Sequence, residues 1–369
     1  TGGFATDNSN TTVVLDYFKR DELMNEDRPI DVTFLSSTRV TIDGRDYAEP
    51  WCGTKTSNGG SRCQYDYVNE RAIQPDTKNL GATLNHIYRL GDEKELFVEA
   101  MYQKNTGHSY DSAGSFDLRL PGNAAAVPQW VRTIDAQNGS VGTIRVRSRM
   151  PERRMQEYDS NSYRLLAGIR GETNIFGSSE TWRYETAATL GKSDNEVLHV
   201  SGYYNLDRLS AAIGNGQFNP FNLGRDTPAD VIAGLRELAP RVGESDVKSW
   251  DFNISGNIAE LPAGPVSAVF GGEWRSEDIF DTPALVAQQG LVSTLGASDA
   301  AADRTQYAGY AEFNLPITEK FDVISALRYD HYSDFGGDAN PKVSLRYRAT
   351  DDLILRASWS TGFRAPSLS

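Results

Sequence analysis

The sequence is poor in the residues that most often carry chemistry: two cysteines, four histidines and four methionines in 369 residues. His86, His108, His199 and His331 lie far apart, so no zinc-type cluster is present, and no metal site is expected. No run of about eighteen apolar residues occurs, which excludes a membrane-spanning helix. It does not exclude a membrane barrel, whose signal alternates weakly along each strand. Positive charge is in deficit: 37 Lys and Arg against 50 Asp and Glu give a formal charge of −13, which argues against a nucleic-acid partner. The opening stretch Thr1 to Asp7 has no basic segment followed by an apolar one, so no signal peptide is expected in it. The chain is then expected to be cytosolic or an internal piece of an exported protein.

Catalytic signatures are also missing. Gly191-Lys192-Ser193 could close a phosphate-binding loop, but Thr186 stands where its first glycine is needed. Gly214-Asn215-Gly216 is followed by Asn219 where a dinucleotide fingerprint requires glycine. Neither His-Glu-x-x-His nor Gly-x-Ser-x-Gly occurs. Asp322, Asp330, Glu273 and Glu312 could hold a glycosidase pair, but arginines on neighbouring strands make ion pairing the better account. Asp330 to Asp338 offers oxygens for Ca²⁺, yet Asp and Gly are also turn formers, and a turn is the expectation. No enzymatic activity and no cofactor are expected.

The cysteines form a lone pair, Cys52 and Cys63, with ten residues between them in a Gly/Ser/Asn-rich stretch. This reads as a disulfide worth about 2–4 kcal/mol, persisting only in an oxidising compartment. The alternative is two free surface thiols.

What the chain does have is alternation. In Phe321 to His331, one face carries Phe321, Val323, Ser325, Leu327 and Tyr329, and the other Asp322, Ile324, Ala326, Arg328 and Asp330. The same rule holds for 11–19, 80–90, 95–104, 161–170, 181–190, 248–259, 265–275, 304–315, 342–349 and 353–361, about eleven strands in all. Short joins (Gly91–Lys94, Gly171–Glu180, Glu260–Gly264, Pro316–Lys320, Thr350–Asp352) alternate with long ones (20–79, 105–160, 191–247, 276–303 and, shorter, 332–341). All tight turns then lie at one end of an antiparallel sheet and all long loops at the other. The polar face is charged (Arg164, Arg170, Arg183, Glu185, Asp251, Glu273, Arg346), and the apolar face carries aromatics near strand ends (Trp182, Trp250, Trp274, Tyr347, Trp359). This predicts an all-β, antiparallel transmembrane barrel portion rather than a soluble sandwich, because a sheet in lipid must pair its backbone internally. One helix is expected in a loop: Thr227 as N-cap, Pro228 at N1, Val231, Leu235 and Leu238 on one face, and Pro240 as the stop.

Several segments resemble a known family. Glu260 to Val266, Phe270 to Arg275, Tyr307 to Pro316, Asn340 to Tyr347 and, most specifically, Leu355-Arg-Ala-Ser-Trp-Ser-Thr-Gly-Phe-Arg-Ala-Pro-Ser-Leu368 are similar to barrel segments of TonB-dependent outer-membrane receptors. Gly168 to Gly171 with Trp182, and Asn219 to Gly224, resemble them more weakly. The resemblance runs over essentially the whole chain. It implies a barrel of about 22 strands with a plugged lumen, long extracellular loops and short periplasmic turns. It also implies uptake of an iron–siderophore, haem, cobalamin or oligosaccharide, driven through TonB acting on the plug. This chain would be an internal fragment of such a receptor, about half the barrel, with plug and C-terminal strands missing.

On that orientation the candidate ligand-binding residues are Tyr110, Trp130, Arg153, Arg154, Arg275, Asp330 and Arg364. Arginine suits anions through bidentate hydrogen bonds, and aromatics suit sugars or flat chelates. Arg170, Arg183, Asp322 and Arg346 would pair with the plug. Membrane lipid and lipopolysaccharide, the latter bridged by Mg²⁺ or Ca²⁺, would surround the apolar face. A passive porin and a soluble carbohydrate-binding β-protein are the other classes left open.

Overall fold

The computed structural model describes residues 1–28, 35–139, 142–174 and 181–368. Period-two alternation builds one 12-stranded antiparallel sheet in which sequential strands are neighbours. Its strands are β1 Gly2–Ala5, β2 Ser9–Arg20, β3 Thr77–Arg89, β4 Lys94–Asp111, β5 Arg154–Asn174 and β6 Thr181–Ser201. They continue as β7 Ala239–Leu261, β8 Gly264–Pro283, β9 Ala300–Thr318, β10 Phe321–Tyr332, β11 Gly336–Arg348 and β12 Ile354–Ser360. Among the described residues the sheet is open, with β1 bonded to β2 alone and β12 to β11 alone.

Each expected strand lies on one of β2 to β12. The short strand β1 was not expected, because Gly2-Gly3-Phe4-Ala5 is too short and glycine-rich to alternate. Most strands also run further than expected, up to 23 residues in β7, while β12 is shorter than the expected 353–361. Their loop-side ends, such as Asp159-Ser160-Asn161 and Ser193 to Glu196, are polar on both faces, so alternation lapses while backbone pairing continues.

Tight turns at 6–8, 90–93, 262–263, 319–320 and 349–353 share one end. The join expected at Gly171–Glu180 falls mostly outside the described residues. At the other end lie the connections 21–76, 112–153, 202–238 and 284–299. The stretch 332–341, expected as a loop, is instead a hairpin: β10 and β11 pair up to Tyr332 and Gly336, leaving only Ser333–Phe335 as the turn.

The register keeps one face apolar across the sheet. Leu96, Val98, Ala100 and Tyr102 oppose Ile169, Ala167, Leu165 and Tyr163. Further along, Trp250 opposes Trp274, Trp274 opposes Tyr307, and Val343 opposes Trp359. These side chains are left in the open, with Leu15 69% and Trp359 60% exposed. The opposite face pairs its charges: Arg328 bridges Glu273 at 3.0 Å and Asp330 at 2.8 Å, and Arg346 meets Asp322 at 3.0 Å.

The buried core sits elsewhere, where the long connections fold together. Leu35–Ile42, Arg45–Tyr47, Thr56–Ser57, Arg62–Asp66, Ser115–Pro121 and Thr143–Arg149 form a second sheet. Helices α1 Gln129–Gln137, α2 Leu206–Gly214 and α3 Ala229–Leu235 accompany it. Val40, Ile42, Val131, Ile144, Val146, Tyr204, Phe218 and Ile232 share one hydrophobic cluster, so three connections make a single cap. The fourth joins it by backbone bonds, Leu206 N–H to Leu291 O at 2.8 Å and Ser293 N–H to Tyr204 O at 2.8 Å.

The expected helix is present but shorter and differently capped. Pro228 occupies the N-cap position, while the Thr227 hydroxyl accepts from Asn219 N–H at 3.0 Å. Arg236 is extended, so the helix ends before Leu238, which is 59% exposed rather than on the buried face.

Candidate ligand-capture site

The cap sheet is two-faced because its strands alternate. In Thr143–Arg149, Ile144, Val146 and Ser148 are buried, and Arg145, Arg147 and Arg149 point the other way. Arg119 lies opposite Arg145 and Arg39 opposite Arg147. Arg62 joins them through a shared partner, Asp46. Two carboxylates space four of these five arginines (39, 62, 145 and 147). Asp117 accepts from Arg145 Nε at 2.7 Å and Nη2 at 2.6 Å, and from Arg147 Nε at 2.6 Å. Asp46 accepts from Arg62 Nε at 2.7 Å and Thr41 Oγ1 at 2.7 Å, with Arg39 Nε at 3.2 Å.

The electrostatics follow from that crowding. The Arg145 hydrogen bonds, then Arg147, hold the Asp117 carboxyl down to about 2. Burial, then the like charges of Arg147, Arg62 and Arg145, push the Arg39 guanidinium below its ordinary value, with Asp46 opposing them. Arg149 is half-buried between Tyr65 and Tyr67, 5.4 and 5.2 Å from their ring centres, and donates to Ala113 O at 2.8 Å. A cationic face therefore stands on a chain whose net charge is −13. Its guanidinium forks match planar or tetrahedral anions, and their summed field favours anion approach.

The seven residues expected to bind ligand do not form one cluster. Tyr110 lies opposite Met155, on the register face of Tyr102, and its ring meets His108 edge-on at 5.6 Å; it is on the apolar side of the sheet, not the polar side. Trp130 packs edge-on against Phe221 at 6.5 Å in the cap core. Arg153 donates to Glu26 at 3.1 Å, Arg154 to Asp111 and to Ser112 O at 2.9 Å, and Arg275 to Glu277 at 2.6 Å. Asp330 is 6% exposed and accepts from Arg328 and Gln306, while Arg364 is exposed beyond β12. Arg170, Arg183 and Arg346 have partners on the sheet itself: Glu95, Glu172 and Asp322. The arginine face lies within the connection expected at 105–160, although Arg145-x-Arg147-x-Arg149 alternates in the sequence.

Cys52 and Cys63 are disulfide-bonded and buried, with Cα atoms 5.6 Å apart. Among the described residues no group of His, Cys, Asp and Glu is placed to hold a metal ion. No helix is long and apolar enough to cross a membrane, which says nothing of crossing by strands.

An antiparallel up-and-down sheet with an exposed apolar face, a charged opposite face and a cap on its long-loop end defines the wall of a membrane β-barrel. Residues 103–369 match the family described as TonB dependent receptor-like, beta-barrel, and the chain belongs to that family. It is similar to the ferrienterobactin receptor of Escherichia coli, 28% identical over 106 residues, covering 27% of this chain and 14% of that protein. It is also 28% identical over 131 residues to the probable TonB-dependent siderophore receptor PirA of Acinetobacter baumannii, covering 34% of this chain and 17% of that protein. In structure it resembles the ferric enterobactin receptor PfeA of Pseudomonas aeruginosa, with a TM-score of 0.51 at 14% identity, over 99% of this chain and 41% of that one. A second structure of PfeA, in complex with BCV-L6, gives a TM-score of 0.52 at 15% identity over the same shares. The chain thus spans about 41% of the length of these solved relatives.

Proposed function

We propose that this chain is the wall and cap of an outer-membrane receptor that captures an anionic iron–siderophore chelate for TonB-dependent uptake. The observation that carries this reading is the arginine face of the cap sheet. Four guanidiniums share two carboxylates, and Arg119 lies opposite Arg145, which leaves a surplus of positive charge on the face. A neutral sugar or cobalamin gains nothing from such a surplus, whereas a chelate carrying several negative charges gains both attraction and bidentate hydrogen bonds. The similarity to siderophore receptors supports the same class. In this reading membrane lipid and lipopolysaccharide surround the apolar face, and TonB acts through a plug in the full-length receptor.

Binding to the full-length receptor in detergent tests it, with an anionic ferric tris-catecholate, a neutral ferric hydroxamate, cobalamin and an oligosaccharide compared side by side. The anionic chelate is expected to bind at least tenfold more tightly than the others. Replacing Arg145 and Arg147 together with alanine is expected to remove most of that preference. Equal binding of a neutral ligand, or no change in the double variant, would overturn the assignment.

A further inference from the structure

Glu49 is the most deeply buried carboxylate of the cap, 2% exposed. It sits where the disulfide hairpin meets the connection 202–238. Its backbone is fixed by the hairpin: Glu49 N–H donates to Cys63 Sγ at 3.2 Å, and its carbonyl accepts from Cys52 N–H at 3.3 Å. Its side chain reaches across 173 residues of sequence, where Oε2 accepts from Asn222 N–H at 2.7 Å. The other oxygen, Oε1, is buried beside the indole N–H of Trp51, also buried, which favours the charged carboxylate without a well-formed hydrogen bond. Among the described residues no cation pairs with the carboxylate, and Arg225 lies over the Trp51 ring, 6.0 Å from its centre. The charge facing it from the other connection is Asp226, of the same sign, whose Oδ1 accepts from Asn222 Nδ2 at 2.9 Å.

The turn held by this bond is strained. Asn222, Leu223 and Gly224 are all left-handed, with φ of 52°, 57° and 69°. Glycine and asparagine take that region readily, but leucine does so at a cost. Leu223 is nonetheless 2% exposed, so the turn is pressed down against its own backbone preference. Within the turn the N–H groups of Gly224, Arg225 and Thr227 bond back to Phe221, Asn222 and Gly224 carbonyls, so the bond from Asn222 N–H to Glu49 is what ties it to the disulfide hairpin. A costly backbone tied across a seam in this way is a segment set close to opening.

We propose that Glu49 is the catch of a lid: its carboxylate holds the strained turn 222–227 closed on the disulfide hairpin, and losing that bond releases the turn while the rest of the cap stays folded. The core contacts of α1 and α2 and the Glu152–Tyr204 hydrogen bond at 2.8 Å do not pass through Glu49, so they survive release. The hairpin also carries Arg62 and Asp46, so the closed lid fixes one edge of the arginine face; that link alone rests on reading the face as the ligand site.

Hydrogen exchange on the full-length receptor without ligand tests the catch, whatever the arginine face binds. In Glu49→Ala, the amides of Asn222, Gly224, Arg225 and Thr227 are expected to exchange at least tenfold faster. Those of α2 and of Thr143–Arg149 should stay within about twofold of wild type. Glu49→Gln keeps an acceptor of the same shape and is expected to preserve slow exchange at all four. Reducing the disulfide should mimic Glu49→Ala. Unchanged exchange in Glu49→Ala, or equal acceleration across the whole cap, would overturn the proposal. So would acceleration in Glu49→Gln as large as in Glu49→Ala.

Discussion

Asp117 receives Arg145 through both of its oxygens, at 2.7 and 2.6 Å, and one of those oxygens also takes Arg147 at 2.6 Å. One carboxylate thus ties together two guanidiniums two residues apart on the same face of a strand. All three groups are partly exposed, so the arrangement contributes more to orientation than to stability.

Replacing Asp117 by asparagine separates these two roles. Stability should fall by less than about 1 kcal/mol, since the pairs are solvent-screened. The net charge of the face rises by one, so association with an anionic chelate should speed up, most at low salt. Thermal unfolding and stopped-flow association at two ionic strengths check this; slower association would show that orientation outweighs charge.

Glu49 should set a pH dependence of cap stability. Burial raises its carboxyl above the ordinary range, with Asp226 adding to the shift. A raised folded-state value means its favourable contribution is present below the unfolded value, about 4.3, and is lost as pH climbs through the raised one. Glu49→Gln should therefore unfold later than wild type at pH 8, and the gap should close toward pH 4. Melting curves of both forms across that range decide it.

Removing the disulfide should cost the cap about 2–4 kcal/mol, because an eleven-residue separation regains its freedom in the unfolded chain. In Cys52→Ser with Cys63→Ser, proteolysis within 45–66 should accelerate while β4 to β12 remain resistant.

Charge placed on the two faces of one strand pair should have opposite consequences. Leu327 is 52% exposed on the apolar face, whereas Ser344 shares the polar face with Ile324. Leu327→Arg should lose about 2–4 kcal/mol in lipid, and Ser344→Arg much less. Denaturant unfolding of the receptor refolded in vesicles measures both; equal losses would mean that the two faces have been exchanged.

The wall was legible because water on one side and lipid on the other impose period two, and Phe321–Tyr332 follows it but for Ser325 on the apolar face and Ile324 and Ala326 on the polar one. Legibility stopped where that asymmetry stops. Asp159-Ser160-Asn161 is polar on both faces, and Gly2-Gly3 has no side chains to alternate. The cap was lost for another reason. Thr143–Arg149 alternates as clearly as any wall strand, but its partner Leu35–Ile42 lies about a hundred residues earlier, and no local pattern announces such a pairing. The candidate site was no more legible: Arg154, Arg275 and Asp330 lie apart on the wall, each with a local ionic partner. The residues that crowd without full neutralisation are on the cap sheet.

The shared core of the cap has a consequence for the order of assembly. Every join within the wall closes a hairpin, apart from those spanned by the long connections. The cap's defining contacts, such as Glu49 with Asn222 and Val40 with Val146, bridge segments that only the finished wall brings near one another. Wall strands can register in the bilayer one hairpin at a time; the cap's local hairpin of Leu35–Ile42 with Arg45–Tyr47 can form early, but its shared core closes only when the connections meet. Its order is thus a late event and a readout of correct strand insertion. A lesion deep in the wall, such as a slipped register in β5 or β6, should first become visible at the surface as a cap that fails to consolidate.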